Sequence, residues 1–284
     1  MPACCPPGSW PQLLKTRDEL NAENVDPPLG EIVKKGELDL YVVSPPEGTV
    51  SKGSILVVPD IYSVRVLTPA VRSGDRIGNI CDTLAQAGYT VCMPSIFGAE
   101  PYDVAVCGPD DGDFEKFDSF AQDGGVAWFQ KQTYEKVGPM VKTAAGYLSE
   151  LGAPGGLGIL GFCYGTWLLS KSSSTGDVTF DAAVGCHPAT VLEKAVFGGD
   201  EIAMMKGLKQ PTKFLWAGND SDIYTKDGEG KKALEESGGG VEEFPDMLHG
   251  WVSRGDVGDE RVQKDVKKAI DMIIGFFDEK MPKA

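Results

Sequence analysis

Cys163 has the residue type and surroundings of a nucleophile, because it is the centre of the pentapeptide GFCYG at residues 161–165. A small residue two positions before and two positions after a nucleophile, between a strand and a helix, is the nucleophile-elbow pattern, here with Cys in place of Ser. This tight turn leaves no room for flanking side chains and lifts the sulfur above the carboxyl ends of a sheet. At the start of the following helix, backbone N–H groups and the helix dipole favour a thiolate and a developing oxyanion. The spacing therefore predicts a nucleophilic cysteine.

Partners for this thiol are few, because the chain has two histidines. His249 follows the last predicted strand, where a triad in the order nucleophile, acid, histidine needs its base. Asp220 follows the preceding strand and could fix the imidazole tautomer and stabilise the imidazolium. Two alternatives stay open, since Asp222 competes for the acid role and Asn219-Asp220 is also typical of an Asx turn. His187 ends a strand at the same edge and could line a pocket or serve the structure.

The other cysteines give no indication of a metal site. The chain has seven cysteines and lacks both CxxC and Cys/His ligand spacing, so neither zinc nor another cofactor is expected. Cys81, Cys92 and Cys186 lie in apolar stretches and are interpreted as small buried side chains.

The elements that must position these residues alternate between strands and helices, which is typical of a mostly parallel sheet with helices on both faces. Seven strands rich in Val, Ile and Leu are predicted: Leu38–Val43, Ser54–Pro59, Thr90–Pro94, Leu157–Gly161, Ala182–Cys186, Lys213–Ala217 and Val241–Phe244. Apolar periodicity predicts one helix that closes at Gly88, a second over Thr133–Leu151 and a third over Glu260–Phe277. The chain is therefore expected to be an α/β protein.

A single domain is expected over residues 36–284, preceded by a Pro-rich N-terminal arm at residues 1–35. Residues 98–131 are long for a connection and carry an acidic run. They are interpreted either as a solvated surface loop or as a cap over the site.

Net charge and hydropathy limit the classes of molecule that the chain is expected to bind. The net charge is −15 and the pI is about 4.6, so nucleic acid and anionic membrane surfaces are not expected to bind. No apolar stretch approaches the roughly 20 residues that span a bilayer, and the first residues lack a basic segment followed by an apolar one. We expect a cytoplasmic protein that acts on a small molecule, as a monomer or small homo-oligomer.

The chain resembles the dienelactone hydrolase family of α/β-hydrolases, also called carboxymethylenebutenolidase-like proteins, from about residue 30 onward. The resemblance rests on VVPDIY at 57–62, MPSIF at 93–97, GFCYG at 161–165, AGND at 217–220 and HGW at 249–251. It implies an α/β-hydrolase fold and hydrolysis of an ester or lactone through a thioester. It also implies Cys163 as nucleophile, Asp220 as acid and His249 as base, with the N–H groups of Ile61 and Tyr164 as the oxyanion hole.

The chain departs from this family at its charged residues. Bacterial members carry Glu at the position of Asp60, where the carboxylate helps to activate the thiol. Asp60 could do the same with a shorter reach or could only form hydrogen bonds in its loop. The family also uses arginines to hold a substrate carboxylate, one of them after the equivalent of residue 97, where this chain has Gly-Ala-Glu. Arg254 is either the remaining anion contact or an exposed ion-pair partner.

Aromatic residues near the motifs favour a less polar substrate than dienelactone. Tyr62, Tyr164 and Trp251 are predicted to line the site. The rival hypothesis is a non-catalytic protein, which binds a partner or senses oxidants through its thiol on the same scaffold. The Cys–Asp–His order argues against it, because a binding protein does not need all three residues.

Overall fold

The computed structural model describes residue 6 and residues 9–10, 28–62, 76–98 and 125–283. Eight strands of these residues form one sheet in the order β1-β2-β4-β3-β5-β6-β7-β8. The strands are β1 Glu31–Lys35, β2 Leu38–Val43, β3 Ser54–Val58, β4 Thr90–Pro94, β5 Leu157–Phe162, β6 Ala182–Cys186, β7 Thr212–Ala217 and β8 Gly240–Phe244. β1 and β2 pair antiparallel, as do β2 and β4, and the remaining neighbours are parallel.

The central strands are buried on both faces, because consecutive side chains point into two separate hydrophobic clusters. In β3, Leu56 and Val58 belong to one cluster, and Ile55 and Val57 belong to the other. This period of two, in strands with apolar residues at every position, is what a sheet covered on both faces requires.

Helices cover both faces. The helices are α1 Arg76–Gln86, α2 Gly125–Gln130, α3 Tyr134–Glu150, α4 Tyr164–Thr175, α5 Leu192–Ala195, α6 Glu201–Lys206, α7 Glu229–Glu236, α8 Trp251–Arg254 and α9 Glu260–Lys280. Buried residues of α3, α4 and α7 contribute to the first cluster, whereas those of α1, α8 and α9 contribute to the second. The described residues include no helix with the length and apolarity that crossing a bilayer would require.

The seven predicted strands and three predicted helices are confirmed, with ends that shift by up to three residues. β1 was not predicted: residues 31–35, assigned to the N-terminal arm, form an edge strand paired with β2. Its half-exposed residues carry three charges and lack the apolar run that identifies the central strands. Most of the cap interpreted at residues 98–131 lies outside the described residues.

Strand register brings the predicted site residues to one edge. Val58 of β3 pairs with Gly161 of β5, Phe162 pairs with Cys186 of β6, and Ala217 of β7 pairs with Phe244 of β8. The loops that follow these parallel strands therefore meet at their carboxyl ends, where open α/β sheets bind ligands.

Candidate active site

Cys163 occupies a strained turn between β5 and α4. Its backbone has φ 51° and ψ −114°, and a positive φ is unusual for a residue with a side chain. A Cβ at Gly161 would meet the main chain of Gly165, and a Cβ at Gly165 would meet the carbonyl oxygen of Val58. Both flanking glycines are therefore required by the turn, as the elbow pattern predicts.

Hydrogen bonds fix this turn to the neighbouring strand end. The Cys163 N–H donates to the carbonyl oxygen of Cys186 over 3.1 Å. Thr166 donates to the Cys163 carbonyl oxygen from both its N–H, at 2.9 Å, and its Oγ1, at 2.6 Å. The same hydroxyl accepts from the Ala189 N–H at 2.8 Å, which ties the start of α4 to the loop after β6.

His249 and Asp220 form a buried pair. His249 Nδ1 lies 2.6 Å from Asp220 Oδ1, and both side chains are fully buried. Asp220 Oδ2 accepts from the Ala217 N–H at 2.8 Å, and the His249 N–H donates to Asn219 Oδ1 at 2.6 Å. With Nδ1 donating to the carboxylate, Nε2 becomes the basic atom of the imidazole. Asp222, the competing carboxylate, is exposed.

His187 places a second imidazole next to that of His249. Its ring centroid lies 5.0 Å from that of His249 at an interplanar angle of 67°, and 6.0 Å from that of Phe162, the residue before Cys163. His187 Nε2 lies 3.4 Å from Ser253 Oγ. The His187 backbone also has a positive φ, 41°. His187 therefore lies between the residue that precedes Cys163 and the imidazole of His249.

Asp60 accepts hydrogen bonds from Tyr62, Ser253 and Arg254. Its Oδ1 accepts from the Tyr62 N–H at 3.0 Å, and its Oδ2 accepts from Ser253 Oγ at 2.8 Å and from Arg254 Nη1. The Arg254 guanidinium also lies over the Tyr62 ring, 4.7 Å from its centroid. Arg254 is 5% exposed, so the expectation of an exposed ion-pair partner is wrong: the ion pair exists and is buried. Activation of the thiol by Asp60 stays a prediction.

The three aromatic residues predicted to line the site do not share one hydrophobic cluster. Tyr62 and Tyr164 belong to the first cluster, where the Tyr164 hydroxyl donates to the Gln132 carbonyl oxygen at 2.7 Å. Trp251 belongs to the second, where its ring packs 4.5 Å from that of Phe244.

The loops that carry the predicted oxyanion-hole residues lie against each other. Ile61 follows β3 and is fully buried, and Tyr164 is the first residue of α4. The close approach of Gly165 to the Val58 and Pro59 carbonyls brings the start of α4 next to the β3 loop. Use of these two N–H groups for an oxyanion stays a prediction.

The other described cysteines lie in the hydrophobic clusters. Burial raises the pKa of the Cys92 thiol to about 12 and also raises that of Cys186, so both stay protonated. Cys81, Cys92 and Cys186 are buried and free of disulfides. Within the ranges that the structure describes, no three His, Cys, Asp or Glu side chains are grouped as a metal site would need.

Sequence reasoning missed two participants. Ser253 donates to Asp60, and Trp10 contacts both His249 and Arg254 through its main chain. Neither residue belongs to a motif. The contacts of Trp10 run through its main chain to residues 239 or more positions away, and such contacts leave no pattern in the sequence.

Comparisons with known proteins identify relatives of this chain. Residues 38–281 match the model of the dienelactone hydrolase family. The chain is 27% identical over 198 residues to a carboxymethylenebutenolidase homologue of Mus musculus and 24% identical over 162 residues to the hydrolase pyvD of Aspergillus violaceofuscus. These alignments cover 69% and 57% of this chain, and 66% and 56% of the relatives.

Solved structures share the fold. A putative dienelactone hydrolase from Klebsiella pneumoniae superposes with a TM-score of 0.58 at 19% identity, covering 88% of this chain and 99% of that one. Est1E from Butyrivibrio proteoclasticus superposes with a TM-score of 0.54 at 8% identity, covering 86% and 98%. These likenesses confirm the predicted α/β-hydrolase fold.

Proposed function

The chain belongs to the dienelactone hydrolase family, and from this membership we propose that it hydrolyses carboxylic esters or lactones with Cys163 as nucleophile, His249 as base and Asp220 as the orienting acid. The observation that carries the proposal is the buried His249–Asp220 pair at the edge where the strained Cys163 turn lies. Burying an ionisable pair costs desolvation energy, and strained backbone persists where the surrounding structure enforces it. Both features at one edge favour catalysis over a passive scaffold.

In the first half of the proposed reaction, His249 takes the Cys163 proton and the sulfur attacks the substrate carbonyl carbon. The oxyanion of the tetrahedral intermediate accepts hydrogen bonds from the N–H groups of Ile61 and Tyr164. The carbon–oxygen bond to the leaving group then breaks, His249 returns the proton to the departing alkoxide, and a thioester on Cys163 remains.

In the second half, water attacks the thioester carbonyl and His249 accepts the proton of that water. The carbon–sulfur bond breaks, the acid leaves, and the proton returns to the thiolate. Asp220 holds the imidazole tautomer in both halves and stabilises the imidazolium. With a lactone, the alcohol stays attached to the acyl group, so the product is one hydroxy acid.

The environment of Arg254 supports a substrate of low charge. Its Nη1 donates to Asp60 and its Nε donates to the carbonyl oxygen of Trp10 at 3.1 Å. Because the guanidinium charge is already compensated by a buried carboxylate, it attracts a substrate carboxylate less strongly. We propose an uncharged ester or lactone as the substrate class.

Cys163→Ala tests the proposal with p-nitrophenyl acetate as the probe. We expect its turnover to fall by about 10⁴-fold or more. Cys92→Ala is the matched control, because Cys92 is a buried cysteine in β4, away from the elbow, and its replacement should leave turnover unchanged. Unchanged turnover in Cys163→Ala would remove Cys163 from the mechanism.

Iodoacetamide titration distinguishes the thiol-sensing alternative. If the protein is a hydrolase, loss of esterase activity follows alkylation of Cys163, read by mass spectrometry. Alkylation of Cys163 in a protein that hydrolyses none of a set of esters and lactones would favour a sensor instead.

A further inference from the structure

The main chain of Trp10 joins two parts of the candidate active site. Its N–H donates to the carbonyl oxygen of His249 at 2.9 Å, and its carbonyl oxygen accepts from Arg254 Nε at 3.1 Å. One residue near the start of the chain therefore holds both the peptide of the proposed base and the guanidinium that pairs with Asp60.

This contact is part of a docked segment. Ser9 is 2% exposed, and both its N–H and its hydroxyl donate to the Pro6 carbonyl oxygen. The Trp10 indole packs against the second hydrophobic cluster. The hydrogen bonds from Ser9 to Pro6 and the partly buried indole together set where the Trp10 main chain lies.

The segment lies outside the family match. The family match begins at residue 38, whereas the proposed triad and the residues Asp60, Ser253 and Arg254 all lie inside it. Trp10 is therefore a contact to the site that the family match does not cover.

The contact completes the anchoring of the His249 peptide. Asn219 Oδ1 accepts from its N–H and Asp220 Oδ1 accepts from its ring, so the carbonyl is its other main-chain polar group. The next residue, Gly250, has φ 89°, a conformation that glycine adopts freely and that restrains the loop little by itself. The Trp10 N–H supplies the restraint on this side.

We propose that Trp10 is a positioning residue, whose main chain acts as a strap that fixes the His249 loop and the Arg254 guanidinium for catalysis. The expected effects on kcat rest on the hydrolase function proposed above. The strap itself is a claim about contacts, which can be measured without activity.

Trp10→Pro removes the N–H donor and keeps the chain length. Trp10→Phe is its matched control, because it keeps both main-chain groups and an aromatic ring. The Trp10 indole N–H is buried and has no hydrogen-bond partner among the described residues, so phenylalanine loses no hydrogen bond there. With p-nitrophenyl acetate, we expect Trp10→Pro to lower kcat about fivefold to tenfold, the effect of one lost hydrogen bond, at nearly unchanged KM. Trp10→Phe should stay within about twofold of wild type.

Amide hydrogen exchange read by mass spectrometry tests the strap independently of catalysis. In Trp10→Pro, the peptide that spans residues 247–255 should exchange faster, whereas the peptide that spans β5 should not change. If Trp10→Pro unfolds globally, exchange will be faster in both peptides. The strap is then tested by Trp10→Gly, which keeps the N–H and should show slower exchange in residues 247–255 than Trp10→Pro does.

Two results would overturn the strap. One is wild-type exchange in residues 247–255 of Trp10→Pro, and the other is an equal loss of kcat in Trp10→Pro and Trp10→Phe, which would assign the effect to the indole. A wild type without esterase activity would overturn the proposed function, and the exchange comparison would still decide the strap.

Discussion

His249 Nδ1 lies 2.6 Å from Asp220 Oδ1, although the two residues are 29 positions apart in the chain, in the loops after β7 and β8. The carboxylate is held from its other oxygen by the Ala217 N–H. Because neither side chain is exposed, little water screens the pair, and the orientation of the imidazole depends on this carboxylate. Asp220 is therefore the residue whose replacement best tests how the base is oriented.

Asp220→Asn should lower kcat for ester hydrolysis by about 10³ to 10⁴-fold, since an amide no longer favours the productive tautomer or stabilises the imidazolium. The amide keeps the size of the carboxylate, so the thermal unfolding midpoint should change far less than activity. Asp222→Asn is the control, because it removes an exposed carboxylate two residues away. Equal kcat in the two variants would show that Asp220 does not orient the base.

Gly165→Ala should destabilise the protein by about 1–3 kcal/mol, as overpacking does, and should also lower activity. The added Cβ would meet the carbonyl oxygen of Val58, so the elbow would have to move away from the β3 loop. Gly146→Ala is the matched control: Gly146 is exposed inside α3 and a Cβ there meets no atom within 4 Å. The control should stabilise the protein by about 0.5–1 kcal/mol. Denaturant unfolding of both variants measures the difference, and similar shifts would contradict the tight turn.

The parts of the site that the sequence predicts are those that follow strands. Apolar runs identify β5, β7 and β8, and a residue within about five positions after such a run lies near the carboxyl edge of the sheet. Cys163, Asp220 and His249 are all of this kind. Ser253 and Trp10 reach the site through a short helix and a distant segment, whose placement depends on tertiary packing. β1 escapes prediction for a related reason, since an edge strand with charged, half-exposed residues lacks the apolar signal.

Arg254→Gln should lower the free energy of unfolding by about 3–5 kcal/mol, because it leaves the Asp60 carboxylate buried without its counter-charge. Asp60 is 1% exposed, and the hydrogen bonds that it accepts from the Ser253 hydroxyl and the Tyr62 N–H come from neutral groups. The double variant Asp60→Asn/Arg254→Gln removes both charges and should recover part of this loss.

Arg261→Gln is the control for this experiment, because the Arg261 side chain is 80% exposed and pairs with Asp259 at the surface. Its loss should change stability by less than about 1 kcal/mol. Urea unfolding of the four proteins measures these differences. A double variant that is less stable than Arg254→Gln alone would contradict the view that the unpaired carboxylate causes the loss.

The buried carboxyl group of Glu201 should make the stability of the protein depend on pH. Its carboxyl group is buried beside Thr190, whose hydroxyl donates to it at 2.7 Å, and burial raises the pKa of this group above its ordinary value of 4.5. Because the folded state holds the proton more tightly than the unfolded state, the stabilising contribution is complete below pH 4.5 and is lost as pH rises through the folded pKa. Glu201→Gln mimics the neutral form at every pH. Thermal unfolding between pH 4 and pH 8 should therefore show wild type losing stability relative to Glu201→Gln as pH rises. Glu236→Gln is the control, because it removes an exposed carboxylate of α7, and its stability relative to wild type should not change with pH. A constant difference between wild type and Glu201→Gln would contradict the raised pKa.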